Sequence, residues 1–323
     1  LSLLQAAYEI IGFSPASERV QLFSVIPRNH IIPNNRLANL LTEDIINAGG
    51  HEYKVSHKGK NEVTSLCILT YEGDNVVIAG RKPFTEYDRN VMNAAVSLYV
   101  QGNADKIFTP AMAYRAMVNM TEQESPSKEQ IDAVERSLDK MRFIRVQVDC
   151  TNELTSRGLT LNGEQITSGK IDTYLLAIQS IEVMAGGRVA KAYQLLNPPV
   201  LYEYSSLIGQ VQTVPASLLD IQANGQRVRN TDQRIAVKGY LLRRIETMKG
   251  KTGTRQSRTI LFEKVYDAAG IEESATREVK RRTRDYAETV LRYWISRGYI
   301  AGYKLIKGRG SAQAVQSIEI ELA

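Results

Sequence analysis

Residues 274–310, SATREVKRRTRDYAETVLRYWISRGYIAGYKLIKGRG, decide how the chain is read. The spacing predicts a long helix from about 274 to 297, stopped by Gly298. Val279, Val290 and Trp294 make one apolar row along it, and Ala287, Leu291 and Ile295 a neighbouring row. Residues 299–306, the turn Lys307-Gly308-Arg309-Gly310 and residues 315–322 then read as a β-hairpin. In its last strand Val315, Ser317, Glu319 and Glu321 alternate with Gln316, Ile318, Ile320 and Leu322.

Working outward, two shorter helical patterns precede the long one. The first runs over about 231–248, with Val237, Leu241, Ile245 and Met248 on one face. The second covers 260–269, with Leu261, Val265 and Ala268 inward and Gly270 as its stop. Helix, helix, helix, hairpin is the layout of a winged helix. The same order occurs earlier. Thr85 caps a helix to about 101 with Val91, Ala95 and Leu98 inward. Thr109-Pro110 starts a second, with Thr as cap and Pro in the first turn. Ser127-Lys128-Glu129-Gln130 is a capping box for a third, carrying Ile131, Val134, Leu138 and Met141. Strand patterns follow at 143–149, 173–183 and 189–196. Before all this, a helix over 34–47 and a hairpin over 63–78 are expected.

The predicted fold class is therefore α+β: two tandem winged-helix domains with an N-terminal α/β extension. The expected boundaries are 1–82 for the extension, 83–228 for the first winged helix with a β insertion, and 229–323 for the second. The repeat is one of layout, since residue identity between the copies is negligible.

Charge separates the two copies. The 323 residues hold 41 Lys and Arg against 35 Asp and Glu, a net charge of +6. Residues 229–323 carry 20 cations and 11 acids, whereas residues 1–228 carry 21 and 24. The last segment holds all the positive excess, which points to an anionic partner there. Within it, Arg277, Lys280, Arg281 and Arg284 are spaced i, i+3, i+4, i+7 and form one stripe, with Arg282 beside them. Like charges this close repel, so an anion would relieve them. In a helix-turn-helix the N-terminal half of this helix enters the major groove. Thr276 and Thr283 add hydroxyls for phosphates or bases. Lys304, Lys307 and Arg309 make the hairpin basic, and Lys249, Lys251, Arg255 and Arg258 make the loop after the first helix basic. Arginine suits bidentate guanine readout and lysine the point charge of a phosphate. These twelve residues are the candidate DNA-binding set. The competing readings are a solvated helix face and an anionic membrane surface; the latter is disfavoured because the opposite face, with Leu291 and Trp294, reads as core. The matching helix of the first copy balances Lys128, Arg136 and Lys140 with Glu129, Asp132, Glu135 and Asp139, so a solvated or protein-contacting face is expected there.

Signals for catalysis are weak. His30, His51 and His57 make no metal-ligand spacing, so no metal or cofactor is expected. Gly250-Lys251-Thr252 lacks the glycine that a phosphate-binding loop needs five residues earlier, where Ile245 stands. Cys67 and Cys150 stand apart and read as free thiols of a reducing compartment. The start, LSLLQAAYEIIGF, lacks a basic region and does not read as a signal peptide. No apolar run of membrane-spanning length occurs. The expectation is a non-enzymatic, cytoplasmic protein associated with nucleoid or plasmid.

PFTEYDRNVMNAAVSLYVQ (83–101), FTPAMAYRAM (108–117) and SPSKEQIDAVERSLDKMRFIRVQVD (125–149) resemble the first winged helix of plasmid replication initiator proteins. IAVKGYLLRRIETMKG (235–250), the basic third helix and GYIAGYKLIKGRG (298–310) resemble the second. The resemblance spans about 83–323 and implies a bacterial initiator of theta-type replication on a plasmid or integrative element. It implies binding to repeated double-stranded origin sites, with the first copy dimerising and the second reading the major groove. A host initiator or helicase would then be a partner. A tandem winged-helix transcription regulator and a protein-docking scaffold are the alternatives.

Overall fold

The computed structural model describes residues 26–35, 38, 39, 42, 66–70, 84–102, 107–142, 144–149, 151–156, 158, 160–185, 188–250, 257–308 and 315–323. It is a mixed α/β chain of helices and small antiparallel sheets, divided into two compact units: residues 1–84 with 91–213, and residues 85–90 with 214–323.

In the first unit come β1 (Asn29–Pro33), β2 (Leu66–Thr70), α1 (Glu86–Gln101, whose first turn counts with the second unit), β3 (Ile107–Phe108), α2 (Pro110–Val118), α3 (Lys128–Arg142) and β4 (Ile144–Asp149). Then follow α4 (Thr151–Ser156), β5 (Thr160–Leu161), β6 (Glu164–Gln165), β7 (Lys170–Tyr174), β8 (Ile178–Ala185), β9 (Arg188–Leu195) and α5 (Val200–Leu207). The helix starts are those that the caps predict. Thr109 accepts from the Met112 amide with Pro110 in the first turn. The Ser127 amide donates to Gln130 at 2.9 Å and the Gln130 amide to Ser127 Oγ at 3.4 Å, a reciprocal box. Val134, Leu138 and Met141 of α3 are buried against a core that includes Met112, Tyr114 and Met117.

The strands depart from the sequence reading. The strand expected at 143–149 is present over 144–149 as β4, but β4 lies between β2 and β7 in a sheet of its own. The hairpin after α3 is instead β8–β9, joined through residues 186–187, and β9 pairs with β3 to give the order β3-β9-β8. The continuous strand expected over 173–183 is broken because Leu175 and Leu176 are both fully buried, which a two-residue alternation forbids. Of the expected 63–78 hairpin, β2 is present; its second arm, and most of the expected 34–47 helix, lie outside the described residues.

The second unit takes over within β10 (Val211–Pro215) and continues with a 3₁₀ turn (Ala216–Leu219), β11 (Gln222–Ala223) and β12 (Gln226–Arg227). Next are α6 (Asp232–Lys249), β13 (Thr259–Leu261), α7 (Phe262–Ala268), α8 (Arg277–Ser296), β14 (Ile300–Lys307) and β15 (Val315–Leu322). Its sheet order is β13-β15-β14, all antiparallel. The core collects Leu241, Leu242 and Ile245 of α6, Phe262 and Val265 of α7, Val290, Leu291 and Trp294 of α8, and Ile318 and Ile320 of β15. Helix α6 is buried on more than its predicted face: Lys238 and Arg243 are buried too. Three side chains clasp the 3₁₀ turn by its carbonyls. Tyr293 Oη donates to Ser217 O at 3.0 Å, Trp294 Nε1 to Leu218 O at 3.0 Å and Lys238 Nζ to Leu219 O at 2.6 Å. Burial pushes the Lys238 ammonium down to about 7.

With β4, α4 and β5–β7 set aside as an insertion between α3 and β8, the order α1-β3-α2-α3-β8-β9 recurs as α6-β13-α7-α8-β14-β15. In both series the short strand after the first helix pairs with the last strand. The sequence reading began the second helix of the later series at Ile260. Residues 259–261 are instead strand, held by Thr259–Glu319, Ile260–Ile318 and Leu261–Ser317 pairing.

Candidate nucleic-acid interface

The turn between α7 and α8 is set by backbone chemistry. Gly270 adopts φ +66°, its amide reaching Asp267 O at 2.9 Å and the Ile271 amide reaching Tyr266 O at 2.9 Å. This pair of bonds stops α7 while satisfying its last carbonyls. Thr276 then caps α8, accepting from the Val279 amide at 3.4 Å. At the other end Gly298, at φ +67°, closes α8 in the same way, with the Tyr299 amide on Trp294 O at 2.9 Å. The Trp294 and Tyr299 rings meet edge to face at 5.4 Å across that stop.

Helix α8 is thereby held by its C-terminal part. Tyr286, Ala287, Val290, Leu291, Tyr293 and Trp294 are buried, while no side chain from 277 to 285 is. The N-terminal turns therefore overhang the core, and they carry Arg277, Lys280, Arg281, Arg282 and Arg284. Val279, expected in an apolar core row, sits in this overhang and is 37% exposed.

The five cations are not equivalent. Among the described residues Arg277 and Arg284 make no hydrogen bond or ion pair through their side chains. Lys280 Nζ donates to Glu273 O at 2.6 Å and lies 5.9 Å from the centre of the Tyr266 ring on α7. Arg281 donates through Nε and Nη2 to the two oxygens of Glu278, each at 2.9 Å, and through Nη1 to Asp285 at 3.1 Å. Arg282 Nε donates to the same Glu278 at 2.8 Å. The hydrogen bonds from Arg281 and Arg282 hold the Glu278 carboxyl down to about 2. The hydroxyls of Thr276 and Thr283 are engaged by the backbone, Thr283 donating to Val279 O at 3.1 Å.

The β14–β15 hairpin is tied to α8. Tyr303 Oη donates to Glu288 at 3.1 Å, Arg292 Nη2 to the same carboxylate at 2.9 Å and Arg292 Nε to Tyr303 Oη at 3.3 Å. On this hairpin Lys307 is exposed, and Lys304 is paired with Glu321 at 2.7 Å. Arg258, beside β13, is exposed. Lys249 has a different position. Its ammonium lies 3.5 Å from the centre of the Tyr299 ring, donates to Tyr299 O at 2.8 Å and sits 3.7 Å from Glu246. It fastens the end of α6 to the start of β14. Lys251, Arg255 and Arg309 lie outside the described residues.

Sequence reasoning missed Tyr266, the ring beneath Lys280, and did not single out Glu278 and Asp285. The i, i+3 and i+4 spacing of Glu278, Arg281 and Arg282 was the available signal. Helix α3, third in the earlier series, is arranged differently. Glu135, Asp139 and Glu182 surround Lys191 at 3.9, 3.9 and 3.3 Å.

Among the described residues no His, Cys, Asp and Glu cluster could hold a metal, and no helix is long and apolar enough to cross a membrane. No protein-family model matches the chain, and no curated protein matches it. Among solved structures the chain is similar to the crystal structure of RctB domains 2-3, RctB-155-483, at 15% identity and a TM-score of 0.41, covering 84% of this chain and 90% of that one. A selenomethionine form of domain 2 and domain 3 of RctB is similar at 15% identity and a TM-score of 0.41, covering 88% of this chain and 98% of the other. The functional reading rests on the chain's own geometry.

Proposed function

We propose that the chain is a non-enzymatic, sequence-specific double-stranded DNA-binding protein that acts as a replication initiator. In this reading both helix–strand series are winged helices, and the second reads DNA. One observation carries it: the overhanging first turns of α8 present Arg277, Lys280, Arg281 and Arg284 on one solvent-facing stripe, next to a basic hairpin tied to the same helix. A helix of this kind fits the major groove by its N-terminal half, and a wing such as β14–β15 meets the adjacent backbone. Arg277 and Arg284 suit base edges, and Lys307 and Arg258 suit phosphates. Repeated sites at a plasmid or mobile-element origin are the proposed target. Dimerisation through the first winged helix and a host initiator or helicase as partner complete the proposal. The protein would work in the bacterial cytoplasm.

The test is capture of a fragment pool, taken from the DNA around the gene, across a salt series. Retention of one repeat-bearing fragment with affinity falling steeply as salt rises supports an initiator. Retention of a lone promoter fragment favours a transcription regulator. No binding at low salt defeats both and leaves a protein-docking scaffold.

A further inference from the structure

We infer that Glu278, assisted by Asp285, is a specificity-determining residue: it occupies Arg281 and Arg282 in the free protein, so that their charge is withheld from the non-specific attraction of any duplex while a guanine edge can still take Arg281 over once α8 is docked. This rests on the reading of α8 as the recognition helix.

The geometry makes the argument. Arg281 places the Nε–Nη2 edge of its guanidinium against both oxygens of Glu278 and the remaining Nη1 against Asp285. A bidentate edge of this kind is what matches guanine O6 and N7. It serves Glu278 or a guanine, not both. Arg282 engages the same carboxylate through Nε. Residues 278, 281, 282 and 285 together carry no net charge, so they add little to the charge-driven attraction that any duplex exerts. That attraction is left to Arg277, Lys280, Arg284 and the hairpin. A phosphate contact would exchange one charged acceptor for another, so random backbone gains little from this arginine. A guanine offers Arg281 a shaped edge while Glu278 keeps Arg282. The exchange is accessible because the ion pair stands in solvent, where such pairs are weak. With its carboxyl held near 2, Glu278 stays ionised at every working pH.

The test compares wild type, Glu278→Gln and Glu273→Gln as full chains on a short random-sequence duplex over a salt series, and in selection from a random duplex pool. Glu273→Gln removes the same charge just before α8 but frees no arginine, since Glu273 meets Lys280 through its backbone carbonyl. Circular dichroism checks that each variant keeps its helices. With Arg282 released and Arg281 held by Asp285 alone, Glu278→Gln should bind random duplex roughly 3–10-fold tighter, with a log–log salt slope steeper by about one to two. Its selected pool should be less enriched than that of wild type. Glu273→Gln should stay within about twofold of wild type. Asp285→Asn, which touches Arg281 alone, should fall between. Equal gains for Glu273→Gln and Glu278→Gln would reduce the effect to net charge and overturn the inference. So would a Glu278→Gln variant that loses affinity for the selected sequence while random binding stays fixed, because Glu278 would then touch a base itself. A wild type that binds no duplex at low salt defeats the reading of α8 instead, which is a separate failure.

Discussion

Replacing Glu86 by Gln should unfold the second unit far more readily than its size suggests. The carboxylate sits in the first turn of α1 with a side chain only 3% exposed, and it faces Arg243 of α6, 9% exposed, with Nη2 at 2.9 Å. Arg89, one turn further along α1, is fully buried; its guanidinium is pushed down to about 9, first by that burial and then by the nearby Arg243 charge, with Glu86 opposing both. Glutamine keeps the shape and one acceptor but removes a charge that offsets two buried cations. Breaking a buried pair by deleting one partner costs about 3–5 kcal/mol. Against a total stability of about 5–15 kcal/mol, that is a large fraction. At a urea slope of about 2 kcal/mol per molar, the midpoint should fall by roughly 1.5–2.5 M. The assay has a built-in reporter, because Trp294 is the single tryptophan and is fully buried in this unit. Its fluorescence follows the second unit alone. Lys264→Ala is the control, since its pair with Asp267 is half exposed at 52% and 50% and should cost at most ~0.5 kcal/mol. A Glu86→Gln midpoint indistinguishable from that control would refute the reasoning.

Three further outcomes are expected from the same structure. Arg284→Ala should cost about 1–3 kcal/mol on selected DNA if it reads a base, and an equal loss on random duplex would assign it to phosphate. Replacing Lys304 and Lys307 together by Ala should flatten the salt slope by about one for each phosphate that is no longer neutralised; an unchanged slope takes the hairpin out of the interface. Lys238 has a folded value of about 7 against an ordinary 10.5, so the unfolded chain binds the extra proton between those limits. Stability should therefore rise with pH from about 7 towards 10.5, and Lys238→Met should lose that rise in urea titrations read at Trp294. A rise that persists in the variant would assign it to another group.

What was legible in the sequence was local. Thr109-Pro110, Ser127 with Gln130 and Gly298 each solve a helix-end problem within four residues, so the letters suffice. Partners distant in the chain were not legible. Residues 144–149 alternate as a strand whether they join the β8–β9 hairpin or the β2-β4-β7 sheet, and only tertiary pairing chooses. Thr259–Leu261 is too short to show a period and is a strand because β15 lies beside it. Periodicity placed Val279 on the apolar face of α8 correctly in angle, but it carries no information on where along the helix the core ends. The same limit applies to the cation set. Spacing identified the stripe, yet the letters did not separate Arg277 and Arg284 from Arg281, which Glu278 holds, or from Lys249, which lies on Tyr299.

The two helix–strand series share an order and a strand pairing, so topology alone assigns DNA to neither. In the proposed function, charge on the third helix makes the choice. In α3 the half-buried Glu135 and Asp139 share Lys191 with Glu182 of β8, and Asp139 also meets Arg142 at 3.5 Å, so the charges of that face are spent on one another. Burial first, and Asp132, Asp139 and Glu182 nearby, push the Glu135 carboxyl up; only Lys191 opposes them. In α8 the carboxylates number two against five cations over 277–285, and each is bonded to an arginine that a base edge can take over. On the proposed reading, the same framework thus offers a polyanion balanced, mutually paired charges in one copy and a cation excess in the other. That is the physical reason for placing recognition in the second unit and leaving the first free for protein contacts.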